Sequence, residues 1–117
     1  MRSKEAEALK HEKRALAIAK EELKDMRLRG TSYRQETARY VVLFFTDLVT
    51  TRTPFDFSQE ELKRVLRQKY ALDSDRVDDV AKSIEVVLSK AKDEDRLAEY
   101  YAKAEEIIKK KDVDRKS

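Results

Sequence analysis

The feature that most restricts the fold is a shortage of turn-forming residues. Gly30 is the only glycine and Pro54 the only proline in 117 residues. Tight hairpins between strands depend on such residues, so the shortage argues against a sheet. Charged residues make up 44% of the chain, and the strong helix formers Ala, Glu, Lys, Leu and Arg dominate it. We therefore predict an all-α helical bundle of about five helices, with a long N-terminal amphipathic helix.

The first predicted helix covers about residues 4–29. Its apolar stripe is narrow, so this helix needs a surface to lie on, either in its own chain or in another. Gly30 follows the basic end of the segment, as expected of a glycine that ends a helix. The stripe consists of Leu9, Leu16 and Leu23, which recur every seven residues, with Met26 beside them.

The second predicted helix runs from Ser32 to about Thr51 and contains the most apolar stretch of the chain, YVVLFF at residues 40–45. At about 100° per residue, Val42 and Leu43 lie away from the main apolar face of this helix. A helix that is apolar on all sides is buried on all sides, so this back face needs a cover. The cover is the first helix, the same region of a second chain, or both. A strand is the alternative for this β-branched and aromatic stretch, but the helical spacing and the lack of a partner strand favour a helix.

Three further helices are predicted downstream. The third begins with Ser58 as its N-cap and Glu61 completing a capping box. The fourth begins near Asp73 and the fifth near Asp93, and we expect the apolar residues of all three to face one core. Those residues are Leu62, Val65, Leu66 and Tyr70 in the third helix, Val77, Val80, Ala81, Ile84, Val87, Leu88 and Ala91 in the fourth, and Leu97, Tyr100, Tyr101, Ala104, Ile107 and Ile108 in the fifth.

This pattern divides the chain into a helical arm (residues 1–30), a helical core domain (residues 31–112) and a frayed tail (residues 113–117). There is no cysteine, which excludes disulfides and thiolate ligands and is typical of intracellular proteins. No apolar run approaches the roughly 20 residues that span a bilayer, and the charged start does not resemble a signal peptide. We expect a cytoplasmic protein that does not bind membranes.

The sequence offers few residues for catalysis or cofactor binding. His11 is the only histidine, and we expect it to be solvated in the charged arm. Neither a catalytic triad nor a histidine-based metal site can be assembled, and there is no glycine-rich phosphate loop. The four aspartates within residues 73–79 lack the spacing of a calcium loop, and they suit a helix start, where the dipole favours acidic residues. We therefore predict a protein without enzymatic activity, metal or cofactor.

The remaining features indicate a protein–protein interaction or assembly module that forms a homodimer or binds a protein partner. An amphipathic arm beside a central helix that is apolar on all sides is a common dimer arrangement, and exposed apolar patches mark contact sites. A monomeric bundle, with the arm docked on its own chain, is the alternative. The candidate interface consists of Leu9, Leu16, Leu23 and Met26 of the arm and of Val42 and Leu43 of the second helix.

Residues 57–91 carry a second candidate function. A helix, a short turn and another helix follow a core helix here, and the spacing resembles the helix-turn-helix core of small transcriptional regulators over about 35 residues. That resemblance implies a small DNA-binding protein. The turn lacks glycine, the second helix opens with aspartates and no wing follows, so an ordinary αα corner is the alternative. The candidate nucleic-acid contacts are Arg34, Arg39, Lys63, Arg64, Arg67 and Lys69.

Overall fold

The structure is a computed structural model that describes the backbone of residues 9–116 and the side chains of residues 9–94 and 96–109. The described chain is helical, with no strand, which confirms the predicted all-α fold. Residues 4–8 of the first predicted helix lie outside the residues that the structure describes. The helices are α1 (Lys10–Arg29), α2 (Ser32–Thr51), α3 (Gln59–Tyr70) and α4 (Ser74–Lys116).

The last helix, α4, is 43 residues long and joins two segments that were predicted as separate helices. No glycine or proline interrupts the sequence between Ala91 and Leu97, so nothing ends the helix there. At 1.5 Å per residue a helix of this length measures about 65 Å. It accounts for the longest dimension of the molecule, 67 Å. The helix continues through residues 113–116, within the segment predicted as a frayed tail.

The ends of the shorter helices depend on local side-chain and backbone contacts. The helix α2 begins at the predicted Ser32, its N-cap is Thr31, and the Thr31 side chain accepts the N–H of Arg34 at 3.2 Å. The predicted cap of α3 is confirmed, because the Ser58 Oγ accepts the N–H of Glu61 at 3.2 Å.

The end of α1 lies where the glycine predicted it, but Gly30 is extended, with φ −87° and ψ 161°. Its N–H donates to the carbonyl oxygen of Met26 at 2.7 Å. A Cβ added at this position would lie 2.8 Å from the same oxygen. Glycine suits this position because the backbone of α1 approaches closely, and not because φ is positive.

One apolar core lies between α1, α2, α3 and the first half of α4. Phe44 and Phe45 of α2 lie at its centre, and the rings of Phe55 and Phe57, from the loop before α3, pack against Phe44 with centroids 6.1 and 6.0 Å away. The arm docks on its own chain, since Ala15 of α1 is buried in the same cluster. The other buried members are Ala19, Val41, Leu48, Leu62, Leu66, Val80, Ala81, Ile84, Val87, Leu88 and Ala91.

Candidate interaction surface

The second half of α4 carries an exposed apolar face, which we call the C-terminal stripe. The prediction that these residues line the core is wrong, because Leu97, Tyr100 and Ile108 are 53%, 68% and 59% exposed. The rings of Tyr100 and Tyr101 meet edge to face, with centroids 5.9 Å apart. The stripe consists of Leu97, Tyr100, Tyr101, Ala104, Ile107 and Ile108.

The stripe is exposed because the apolar repeat of α4 changes phase between its two halves. Ile84 lies near the middle of the buried face and Ala104 near the middle of the stripe. The two residues are twenty positions apart, which corresponds to five full rotations and about 200° at about 100° per residue. The two faces therefore point in nearly opposite directions, and α4 cannot bury both against the same neighbours.

Two rows of opposite charge border the stripe. Arg96 and Lys103 lie about 80–100° from Ala104 on one side, and we call them the basic edge. Glu94 and Glu105 lie about 80–100° from Ala104 on the other side, and we call them the acidic edge. The Glu94 carboxylate also contacts the Arg14 guanidinium of α1 at 3.3 Å. The stripe is thus apolar at its centre and has edges of opposite sign.

The arm residues predicted for the interface lie mostly inside the molecule. Leu9 and Leu23 are buried by their own chain. Leu16 is half-buried and packs against the core, and Met26 is half-buried beside a cleft between α1, α2 and α4. Of the two open alternatives for the arm, the structure has it docked in cis.

The two candidate residues on the back of α2 differ in exposure. Val42 is half-buried and packs against the core. Leu43 is 44% exposed and borders a shallow cleft beside Arg39. The docked arm therefore leaves part of this back face, at Leu43, in contact with solvent.

The cations predicted to contact DNA are partly engaged within the chain. Lys63 of α3 pairs with Asp78 of α4 at 3.1 Å, and Lys69 pairs with Asp47 of α2. Arg64 is exposed on α3. Arg67, Arg34 and Arg39 are also exposed, the last two on α2.

In the DNA-binding hypothesis, α4 would be the recognition helix. Its acidic residues instead make contacts within the chain at the start of this helix. Asp73 accepts the backbone N–H of Arg76 at 2.9 Å and so caps the helix. Arg76 pairs with Glu36 of α2 at 2.9 Å, and its guanidinium lies 3.9 Å from the centroid of the Tyr33 ring. Asp79 accepts the hydroxyl of Tyr33, and this hydrogen bond raises the pKa of Tyr33 above its ordinary value. These contacts fasten α2 to α4.

A cleft of about 360 Å³ opens beside the same contacts, between α1, α2 and α4. Ala19, Met26 and Val41 supply apolar walls, and Arg34 and Lys82 lie at the polar side with Asp79. Two of its polar groups, Tyr33 and Asp79, are hydrogen-bonded to each other.

Two polar residues of α1, Glu12 and His11, are at least partly buried. Glu12 is buried, and its carboxylate accepts the backbone N–H of Phe55 at 3.3 Å, which ties α1 to the loop before α3. His11, expected to be solvated, is half-buried because α1 is docked. Within the described part of the chain, no group of three or more His, Asp or Glu side chains is placed to hold a metal ion.

Comparison with protein-family models, with curated proteins and with solved structures gives no match for this chain. Across the described residues, every helix is too short or too polar to cross a membrane. A functional assignment therefore depends on the chain's own surfaces. The most distinctive of these is the C-terminal stripe, where apolar and aromatic side chains stand in solvent on a single helix.

Proposed function

We propose that this chain is a non-enzymatic helical assembly module that self-associates through the C-terminal stripe of α4. The observation that carries the proposal is the exposure of five large apolar side chains along three turns of one helix. Soluble chains rarely leave so large a continuous apolar patch without a partner. The five are Leu97, Tyr100, Tyr101, Ile107 and Ile108.

The proposal moves the interface away from the arm. Leu9 and Leu23 are already covered by their own chain, so they offer little surface to a second copy. The stripe is uncovered and contains two tyrosines, a residue type that is enriched at the centres of interfaces. Helix pairing over such a stripe buries side chains at 3–4 spacing, as in coiled coils and helical bundles.

Solution mass tests the proposal. The parent chain of 13.8 kDa should sediment as a dimer at high concentration and dissociate on dilution. The variant with Tyr101→Asp and Ile108→Asp should stay monomeric at every concentration, because it places a charge on each of two turns of the apolar face. Both side chains are exposed, so the far-ultraviolet circular dichroism of the monomer should not change.

Ala102→Asp is the matched control. Ala102 lies about 200° from Ala104, on the opposite side of the same helical segment, and is exposed. This variant adds one carboxylate outside the stripe, where the stripe variant adds two within it, and it should dimerise like the parent. A parent that is monomeric throughout, or a stripe variant that keeps the dimer mass, contradicts the proposal.

The DNA-binding alternative stays a prediction that no described contact favours. Two of its six candidate cations, Lys63 and Lys69, pair with carboxylates of the same chain. Fluorescence anisotropy with mixed-sequence duplex DNA at about 50 and about 200 mM salt tests it, because phosphate-driven binding weakens by orders of magnitude over that range. Binding that is lost in the Arg64→Ala, Arg67→Ala variant would assign this function to α3.

A further inference from the structure

We propose that the partner is a second copy aligned in parallel, with both α4 helices running in the same direction and stripe packed on stripe. This inference rests on the proposed self-association and adds its geometry. Two helices that pair through the same face can run parallel or antiparallel, and both are symmetric dimers. The charged edges of the stripe discriminate between the two arrangements.

In a parallel pair, the two-fold axis lies along the helices, and each edge of one helix meets the opposite edge of the other. The basic edge, Arg96 and Lys103, then faces the acidic edge, Glu94 and Glu105, on both sides of the contact. In an antiparallel pair, the axis is perpendicular to the helices, and each edge meets its own counterpart. Lysine would then face basic residues and glutamate acidic ones, which is unfavourable.

The phase change within α4 makes the parallel arrangement sterically open. The core packs on the face around Ile84, and the stripe faces about 200° away. When two stripes meet at the dimer axis, each core therefore lies on the outer side of its own helix. The Ile84 faces of the two helices point away from each other, while α1 lies beside the acidic edge, where Glu22 pairs with Lys90 and Arg14 with Glu94.

An exposed valine upstream of the stripe supports the same register. Val86 is 47% exposed, and it precedes Leu97 by eleven residues, which is three turns and about 20°. Val86 therefore lies on the same side of α4 as the stripe, although Lys90 and Asp93 stand between them, and it also lines a cleft between α4 and α1. A parallel partner in register places each Val86 opposite its counterpart and covers both.

Disulfide trapping tests the orientation, because the chain has no cysteine of its own. We would prepare Leu97→Cys and Ile108→Cys separately, with tags of different mass, and oxidise each alone and both together in a glutathione buffer. Positions 97 and 108 are eleven residues, or about 16 Å, apart along the helix, whereas a disulfide needs Cβ atoms about 4 Å apart. Parallel pairing predicts covalent dimers in each sample alone and few mixed dimers. Mixed dimers as the main product, with little cross-linking in the separate samples, would overturn the parallel arrangement.

Charge reversal at one edge gives a second, independent test. Lys103→Glu makes both edges acidic at the level of residues 103 and 105, so a parallel dimer should dissociate with a Kd about tenfold higher. Adding Glu105→Lys exchanges the signs of the two edges at this level, and it should return the Kd to within about threefold of the parent. In an antiparallel dimer, position 103 faces either the same position or Arg96 of the partner subunit, so Lys103→Glu should leave the Kd unchanged or lower it. Either result would overturn the inference.

The outcomes separate this inference from the function on which it rests. A parent that is monomeric at all concentrations removes both. If the parent dimerises but the cysteine variants cross-link position 97 to position 108, self-association through the stripe is supported and only the parallel geometry is excluded. Circular dichroism of each variant at low concentration verifies that the monomer is folded before either result is read.

Discussion

The two halves of α4 carry apolar repeats of similar spacing, yet they differ in how deeply those residues are buried and in what they pack against. Between Val77 and Ala91 the repeat is buried against α1, α2 and α3, and its side chains form part of the core. Between Leu97 and Ile108 the repeat is exposed and bordered by charge. The first half is part of a folded domain, whereas the second is a helix whose apolar face has no cover within the described chain.

The difference shows that the phase of an apolar repeat matters as much as its period. Both halves satisfy the 3–4 spacing of an amphipathic helix. Between Ala91 and Leu97 the apolar repeat moves to another side of the helix without interrupting the backbone. When the apolar face of a straight helix changes sides, one half of the helix can pack in the core and the other half can contact a partner.

The largest expected difference between the two halves is the loss of stability when an isoleucine in each is replaced by alanine. Ile84 is fully buried and Ile108 is 59% exposed. We expect Ile84→Ala to lower the free energy of unfolding by about 2–5 kcal/mol, because it leaves a cavity in the core. Ile108→Ala should change that of the monomer by less than about 0.5 kcal/mol. Urea denaturation at low protein concentration measures both, and equal losses would show that the two halves do not differ in the monomer.

Hydrogen exchange should also separate the halves. Amides of residues 77–91 are held by the folded core, and their protection should not depend on protein concentration. Amides of residues 97–108 lie in a helix without tertiary cover and should exchange rapidly in the monomer. Their protection should rise at least about tenfold when dimerisation covers the stripe. Concentration-independent protection of 97–108 would indicate that the helix is stable without a partner.

Glycine substitutions should change stability in opposite directions at two alanines, one before the buried half of α4 and one after it. Ala71 ends α3 with φ 52°, a left-handed conformation that suits glycine. Ala71→Gly should therefore stabilise the fold by about 1 kcal/mol. Ala104→Gly, within α4, should instead lower the stability of the helix by up to about 1 kcal/mol. Thermal unfolding of Ala71→Gly, and the helical signal of Ala104→Gly, check the two signs.

The smallest effect concerns the contact that fastens α2 to the start of α4. The hydrogen bond to Asp79 raises the pKa of Tyr33, so the folded state holds the phenol proton more tightly than the unfolded chain does. Its contribution to stability is present below the ordinary pKa of tyrosine and is lost as the pH rises through the raised value. Asp79→Asn should move the ultraviolet titration of Tyr33 to lower pH. An unmoved titration would show that Asp79 is not the cause.

Several local features follow from residues close together in the sequence and could be predicted. Ser58 caps α3 because a hydroxyl three residues before Glu61 can reach its N–H. The run YVVLFF forms the central helix of the core, with Phe44 and Phe45 buried at its centre. The end of α1 at Gly30 was also predictable, although its extended backbone and the close contact with Met26 were not.

The candidate site was less predictable, because it depends on which faces meet. The uncovered stripe has a signal in the sequence, since no helix breaker separates two repeats that are out of phase. A turn near residue 93 would instead reorient a second helix and let its apolar residues face the core, which is the arrangement predicted from the sequence. The pairing of Lys63 with Asp78 joins residues fifteen positions apart on different helices, and no local pattern indicates it.

The sequence by itself determined that this chain is helical, where α1 and α2 end and which residues of the first half of α4 are apolar enough to form a core. These properties depend on side chains within about one helical turn of each other, where capping, propensity and periodicity act. Only the tertiary structure decided that the arm covers its own chain, burying Leu9 and Leu23, and that Leu97–Ile108 remain uncovered. The reason is that burial depends on the direction in which each face points relative to distant helices, and a single uninterrupted backbone sets that direction along all of α4.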